Sequence, residues 1–310
     1  MRTLRTVAEV RAALAQPRRE GRSIGLVPTM GALHDGHLSL IRRAREECEL
    51  VIVSLFVNPT QFNDAGDLHS YPSDERRDAQ LAADAGVDHL FAPSAHEIYP
   101  PGFATQVSVG AMTETLEGRH RGRAHFDGVT TVVTKLLNIV APQVAYFGQK
   151  DAQQAVVIRR LVRDLEVPVR IAVCPTVRDR DGLALSSRNV RLSARERQRA
   201  TALHRALALV KDAVLAGERD PAAAIAHAQR ELARAEVDLD YLELVDADTL
   251  ASVARIDGNV LVLIAARVGP TRLIDNTLIH VLSTTGTELE SAAGCGKPIQ
   301  PEVMTCCVRC

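Results

Sequence analysis

Apolar residues gather in short β-branched runs, separated by stretches in which they recur every three to four positions. The two patterns alternate through the first half of the chain. The runs are SIGLVPT (23–29), LVIVSLFV (50–57), HLFAP (89–93), QVAYFG (143–148) and VRIAVCPTV (169–177). Helical spacing covers roughly 37–48, 74–86, 127–140 and 151–164. Such alternation predicts an α/β fold, a doubly wound parallel sheet covered by helices on both faces. The second run is apolar almost throughout, as a central strand buried on both sides requires.

The pattern changes after the charged, glycine-containing stretch CPTVRDRDGLALSSRN. Two Ala-rich helices follow. The first opens on a capping box, Ser193 with Glu196, and the second on Asp220 as cap with Pro221 at the first helical position. Three strand-like runs come next, YLELVD, NVLVLIAARV and TRLIDNTLIHVL, so this part predicts a smaller α+β domain. The chain is therefore divided into residues 1–176, 177–283 and a tail, 284–310, that reads as disordered or loosely attached. No internal repeat is visible.

Composition narrows the partners. Lys plus Arg number 37 and Asp plus Glu 38, a formal net charge of −1, so no global field draws the 310-residue chain to nucleic acid or to an acidic membrane. The amino-terminal stretch lacks the apolar core of a secretory signal, and no run is long enough to span a bilayer, so a cytoplasmic protein with small-molecule ligands is expected. Cys48 and Cys174 stand alone in apolar contexts and read as core residues. Cys295, Cys306, Cys307 and Cys310 crowd the tail; four thiolates could bind zinc, but the C-C-x-x-C spacing is irregular.

Four clusters could carry chemistry, each at a strand end or in the loop after the last parallel strand. In VPTMGALHDGHLSL the first strand should end near Val27 and a helix start at about Gly36 or His37, which puts His34 and His37 where open sheets bind ligands. A helix amino terminus with two imidazoles suits a phosphate, and Gly36 would let a base or ribose approach the backbone. The competing reading makes His34 a surface residue and His37 a helix cap; a metal pair lacks a third ligand nearby. GLALSSRN offers Ser186, Ser187 and the Arg188 fork on a loop able to close over a ligand. YFGQKDAQQ supplies Lys150 after Gly148, with Asp151 as a possible cap. FVNPTQF supplies Asn58 and Gln61, unless it is only an Asn-Pro turn. No other familiar phosphate loop occurs.

Taken together, VPTMGALHDGH, FVNPTQF, FGQKDAQQ and LSSRN, in that order and at that spacing, resemble the motifs of the pantoate–β-alanine ligase (pantothenate synthetase) family, over residues 1 to about 283. That family lies within the nucleotidyltransferase superfamily that carries His-x-Gly-His and Lys-Met-Ser-Lys-Ser elements. The resemblance implies a Rossmann-like first domain, and a second domain carrying the Ser-Ser-Arg loop. It also implies ATP with Mg2+, pantoate and β-alanine as substrates, a pantoyl adenylate intermediate, and a homodimer. It places His34 and His37 on the ATP phosphates and gives His34, His37, Lys150 and Arg188 catalytic roles. Met30, Gly31, Gly36, Gly148, Gln149, Asp151, Val177, Leu185, Ser186 and Ser187 would complete the ATP site. Pro28, Thr29, Met30, Asn58, Gln61 and Gln154 would hold pantoate and β-alanine. The chain departs from the family pattern at Asp35 (commonly Glu), Leu185 (Met), Gln149 (Glu) and Ala152 (Tyr), none of which removes a phosphate donor.

Two other classes compete. A cofactor adenylyltransferase would share the histidines but not the paired glutamines or the second half of the chain. A non-catalytic nucleotide or metal sensor would use His34, His37 and the tail thiols. An aminoacyl-tRNA synthetase lacks support because no basic anticodon-binding region is apparent.

Overall fold

The computed structural model describes residues 1–62, 65–69 and 71–281. Within them a six-stranded sheet of order β1-β4-β3-β2-β5-β6 is parallel throughout, built from β1 (Arg2–Leu4), β2 (Ile24–Thr29), β3 (Leu50–Leu55), β4 (His89–Phe91), β5 (Val144–Gly148) and β6 (Arg170–Cys174). A separate antiparallel sheet joins β7 (Asp238–Asp246), β8 (Gly258–Val268) and β9 (Thr271–Val281). The anticipated runs thus became strands, with one edge strand, β1, not anticipated because its RTL sequence carries a single buried apolar residue among polar ones.

Alternation within β3 explains its unbroken apolar run. Leu50 and Ile52 join a core with Ile24, Leu26, Ala145 and Phe147 under the helices Val7–Arg19 and Arg123–Val140, while Val51 and Val53 face Val27 and Tyr146 under Asp35–Glu47 and Glu75–Asp84. Cys48 is buried in the second of these layers, and Cys174 lies there too. The helices Ala194–Ala200, Ala202–Leu215 and Pro221–Arg234 cover β7–β9 around a third core. The first Ala-rich helix is therefore two, divided at Thr201; its Ser193–Glu196 capping box is present, as is the Asp220 cap. The helix expected from 127 begins four residues earlier, at Arg123, because the polar RAH turn hid its start.

Two boundaries differ in a way that shapes the site. β2 runs to Thr29, past the expected end at Val27, although it contains Pro28. Its pairing with β5 stops at Leu26 while that with β3 continues to Thr29, so the proline interrupts no ladder on the β5 side. The strand order reverses between β2 and β5, and the carboxyl ends of these neighbours open the crevice in which sheets of this kind bind ligands. No helix among the described residues is long and apolar enough to cross a membrane.

Candidate active site

After Met30 the chain turns at Gly31, whose φ of +92° would strain any other residue. Asp78, buried on the neighbouring helix, fixes this turn by accepting the backbone N–H groups of Ala32 and Leu33, each at 2.8 Å. Gly31 itself packs toward Asp78 and Leu55, away from the crevice lining, so it shapes the site rather than facing it. The helix then begins at Asp35 with His34, not His37, as its N-cap. His34 Nδ1 accepts the Gly36 N–H at 3.1 Å, and His37 Nδ1 reciprocates by accepting the His34 N–H at 3.4 Å. This is a capping box made of imidazoles.

That box sets the tautomers. Each Nδ1 accepts, so each neutral ring carries its proton on Nε2 and is a donor there. Burial, with repulsion from Lys150, lowers the His34 pKa. Burial, then the neighbouring His34, pushes His37 down to about 3, so both rings are neutral near pH 7. A Cβ on Gly36 would stand 2.8 Å from His34 Cε1. The glycine therefore makes room for the His34 ring, whereas the sequence suggested that it makes room for a nucleotide.

Opposite stands the cationic side. β5 ends at Gly148, and a short 3-10 turn, Gln149–Asp151, leads into the helix Ala152–Asp164. Asp151 occupies the N-cap position but makes no side-chain cap bond; its carboxylate lies 3.4 Å from Lys150 Nζ. Burial opposes its ionisation, yet Lys150, Arg121 and Arg188 outweigh that and lower its pKa. Gln149 turns away from the crevice to donate from Nε2 to Asn276 Oδ1 at 3.0 Å, because Asn276 draws this turn toward β9. Asn276 Nδ2 donates in return to the carbonyls of Gln149 and Lys150 at 2.8 and 2.9 Å.

The adjacent residue on β9, Asp275, is buried and receives both arms of Arg178, at 2.6 and 2.9 Å. Arg178 pairs with Ala184 across the turn that precedes Leu185, Ser186, Ser187 and Arg188. Leu185 N–H reaches the Val177 carbonyl at 3.0 Å, and Ser186 Oγ accepts the Arg188 N–H at 3.2 Å. Two consecutive β9 residues thereby tie down both cationic segments. Tyr71, whose phenol pKa is raised by burial, bonds to Ser187 from across the crevice.

The far end is neutral and apolar. Buried Asn58 donates to Gln61 Oε1 and to the Gly128 carbonyl, both at 3.1 Å, and accepts from Tyr99 Oη at 2.8 Å and Thr60 Oγ1 at 2.9 Å. Gln61 Nε2 meets Met30 Sδ at 2.9 Å. Phe56, Val129, Val132, Leu136 and Phe147 contribute apolar lining, and Gln154 lines the crevice as well. The whole crevice encloses about 710 Å³ and is lined also by Pro28, Thr29, Gly36, Gly148, Val177 and Leu185. Between its ends Glu117 takes both arms of Arg272 at 2.8 Å, together with Arg121 and the Tyr241 hydroxyl. Burial alone would raise its pKa, but these partners hold it at about 2.

The comparisons with known proteins bear on the whole of this arrangement. The model of the pantoate-beta-alanine ligase family matches residues 2–278. The chain belongs to that family. The pantothenate synthetase of Moorella thermoacetica is 54% identical over 282 residues, 91% of this chain and 99% of that one. The crystal structure of pantothenate synthetase from Thermus thermophilus superposes with a TM-score of 0.85 at 48% identity, covering 89% of this chain and 99% of that chain. A pantoate-beta-alanine ligase structure from Francisella tularensis, complexed with beta-gamma ATP and beta-alanine, gives 0.75 at 35% identity, covering 90% and 97%. The α/β architecture is thus that of the pantoate–beta-alanine ligase family.

Of the residues that the resemblance assigned to the ATP, pantoate and β-alanine sites, all but Gly31 and Gln149 line one crevice. Sequence reasoning passed over Asp78, Glu117, Arg121, His125, Arg272, Asp275 and Asn276. Their only signal was a charged or amide residue inside an apolar pattern, as in TRLIDNTLIHVL. No group of three or more His, Cys, Asp or Glu able to hold a metal occurs among the described residues; Cys295, Cys306, Cys307 and Cys310 lie outside them.

Proposed function

We infer that this chain condenses pantoate with β-alanine at the expense of ATP, giving pantothenate, AMP and pyrophosphate through a pantoyl adenylate. The observation that carries this reading is the polarity of the crevice. Lys150, Arg188 and two imidazole donors stand at one end, and an apolar lining with Asn58, Gln61 and Gln154 at the other. A nucleotide and an apolar hydroxy acid fit these ends and meet between them.

In the first step a pantoate carboxylate oxygen attacks the α-phosphorus, the bond to the β-phosphate breaks, and pyrophosphate leaves. The attacking group is already ionised, so no base is needed. The requirement is for donors where negative charge builds on the phosphates. His37 and His34 supply Nε2–H groups, Lys150 a mobile ammonium and Arg188 a fork, with Ser186 and Ser187 beside it. Gly148 and Asp151 would meet the ribose, and Met30, Val177 and Leu185 the base. Gln61 and Gln154 would clasp pantoate against Pro28 and Thr29, with Asn58 fixing Gln61. In the second step the β-alanine amine, having lost a proton, attacks the acyl carbonyl. The C–O bond to AMP then breaks. Closure of the Ser186–Arg188 loop would shield the anhydride from water.

Magnesium enters this proposal as part of the Mg-ATP substrate, since Asp151 is a single carboxylate among cations and does not make a resident metal site. A homodimer and a cytoplasmic location belong to the same proposal; sedimentation velocity and cell fractionation check them. The chemistry is tested by ATP–pyrophosphate exchange. Exchange is expected with pantoate alone, and AMP release only after β-alanine is added. Exchange without pantoate would favour a different adenylyltransferase, and no exchange at all a nucleotide sensor; either result overturns the reading.

A further inference from the structure

His125 stands on the helix Arg123–Val140, at the acid end of the crevice, and the steps above leave it without a task. Its Nδ1 lies 2.7 Å from the backbone carbonyl of Gln61. A carbonyl oxygen only accepts, so the imidazole proton is fixed on Nδ1 and a neutral ring presents a bare lone pair at Nε2. This is the reverse of His34 and His37, whose Nδ1 atoms accept from backbone N–H groups. Nε2 of His125 takes no partner among the described residues and is not among the polar atoms sealed inside the protein. Phe126 stands edge-on to the ring at 5.2 Å between centroids, which helps to hold its plane.

We propose that His125 Nε2 accepts a hydrogen bond from one of the two hydroxyls of the acid substrate, which makes His125 a specificity-determining residue of the adenylation step. The inference rests on the reading of this crevice as a pantoate site. Gln61 and Gln154 carry amides, which can donate or accept and so tolerate either partner. His125 can only accept at Nε2, and so selects a group that bears a proton.

At this end of the crevice, away from the nucleotide, the competing donor is the ammonium of β-alanine. Burial, reinforced by the nearby Arg121, pushes the His125 pKa down to about 4, against the opposing hydrogen bond to the Gln61 carbonyl and the charges of Glu117 and Asp151. An imidazole so weakly basic is a poor proton acceptor for an alkylammonium, whose pKa is near 10. It remains a neutral acceptor for a hydroxyl throughout the working pH range. A substrate without that hydroxyl would leave the lone pair unpaired in a desolvated pocket, which is how sites discriminate against deoxy analogues.

The test uses the full chain in pantoate-dependent ATP–pyrophosphate exchange without β-alanine. The substrates are pantoate and two analogues, each lacking one hydroxyl. His125→Asn keeps an amide N–H near the Nδ1 position, able to reach the Gln61 carbonyl, and withdraws the acceptor at Nε2; His125→Phe removes both. For wild type, kcat/KM is expected to favour pantoate over one analogue by about tenfold or more, the worth of one hydrogen bond. His125→Asn should lower kcat/KM for pantoate by about tenfold, leave that analogue within about twofold and leave the KM for ATP unchanged, so that the discrimination collapses. Equal losses on pantoate and on both analogues would reduce His125 to a support for Gln61 and overturn the proposal. So would normal exchange together with slowed pantothenate formation once β-alanine is added to the same variant. Absence of pantoate-dependent exchange in wild type would instead sink the functional reading itself.

Discussion

The two ends of the crevice solve opposite electrostatic problems with the same kinds of residue. At the end we assign to the phosphates the imidazoles of His34 and His37 are neutral donors, because backbone N–H groups occupy their Nδ1 atoms. At the acid end His125 is a neutral acceptor, because a backbone carbonyl occupies its Nδ1. The full positive charges, Lys150 and Arg188, sit on segments anchored from β9 through Asn276 and Asp275. The end assigned to the acid relies instead on amides, the buried Asn58 foremost, which is locked to Gln61, while the nearby Arg121 is neutralised by its pair with Glu117. The difference shows that backbone hydrogen bonds, more than residue type, assign the chemical role of a histidine. It shows too that mobile charge and rigid neutral polarity are supported by different halves of the molecule.

Mutations can break this contrast in order of expected size. Lys150→Ala should reduce kcat for adenylation at least about a hundredfold, roughly 3 kcal/mol, while the melting temperature stays near that of wild type. Lys150 is paired with Asp151 at 3.4 Å, and turnover near normal would remove it from the mechanism. Asn58→Ala should do the converse. It strands several buried partners, so denaturant unfolding should register a loss of about 2 kcal/mol, with a raised KM for pantoate and an unchanged KM for ATP.

Acid should expose the neutral histidines. His37 titrates at about 3 when folded and near 6.5 when unfolded, so the unfolded chain binds more protons between these values. Stability from this ring is complete above about pH 6.5 and is lost as pH falls toward 3; Glu117, held at about 2 against 4.5, has the same sign in a lower window. Between about pH 7 and pH 5, His37→Gln should lose about 2 kcal/mol less than wild type by chemical denaturation, and parallel curves would show the ring to be protonated in the fold. The smallest effect is expected from Asn276→Ala, which loosens the backbone at Lys150 without touching a ligand. The kcat/KM for ATP should drop about tenfold and the KM for pantoate hold steady, as steady-state kinetics would reveal.

Much of the fold was legible because its signals are local. Strands buried on both faces read as unbroken β-branched runs, and caps such as Ser193–Glu196 and Asp220–Pro221 satisfy backbone donors with neighbours in sequence. The site was legible in its outline, since His34, Lys150 and Ser186–Arg188 all follow strand ends or the last loop of the sheet. Its supports were not. Glu117 with Arg272 and Gln149 with Asn276 pair across more than a hundred residues, a relation with no periodic trace in the chain. The competing reading, with His37 as the cap, differs from the structure by one helical turn, since His34 takes that position and either ring satisfies the spacing.

The sequence by itself determined the layered α/β plan, the crevice at the strand ends and the family to which the chain belongs, since apolar periodicity and short motifs record what each segment must bury or present. Only the tertiary structure decided what each polar group can do there. The proton on His37 lies at Nε2 and that on His125 at Nδ1 because different backbone atoms face them. Gln149 holds β9 instead of lining the crevice because Asn276 reaches it first. Protonation state and direction of donation depend on neighbours brought together by folding, and so appear only once the chain has closed on itself.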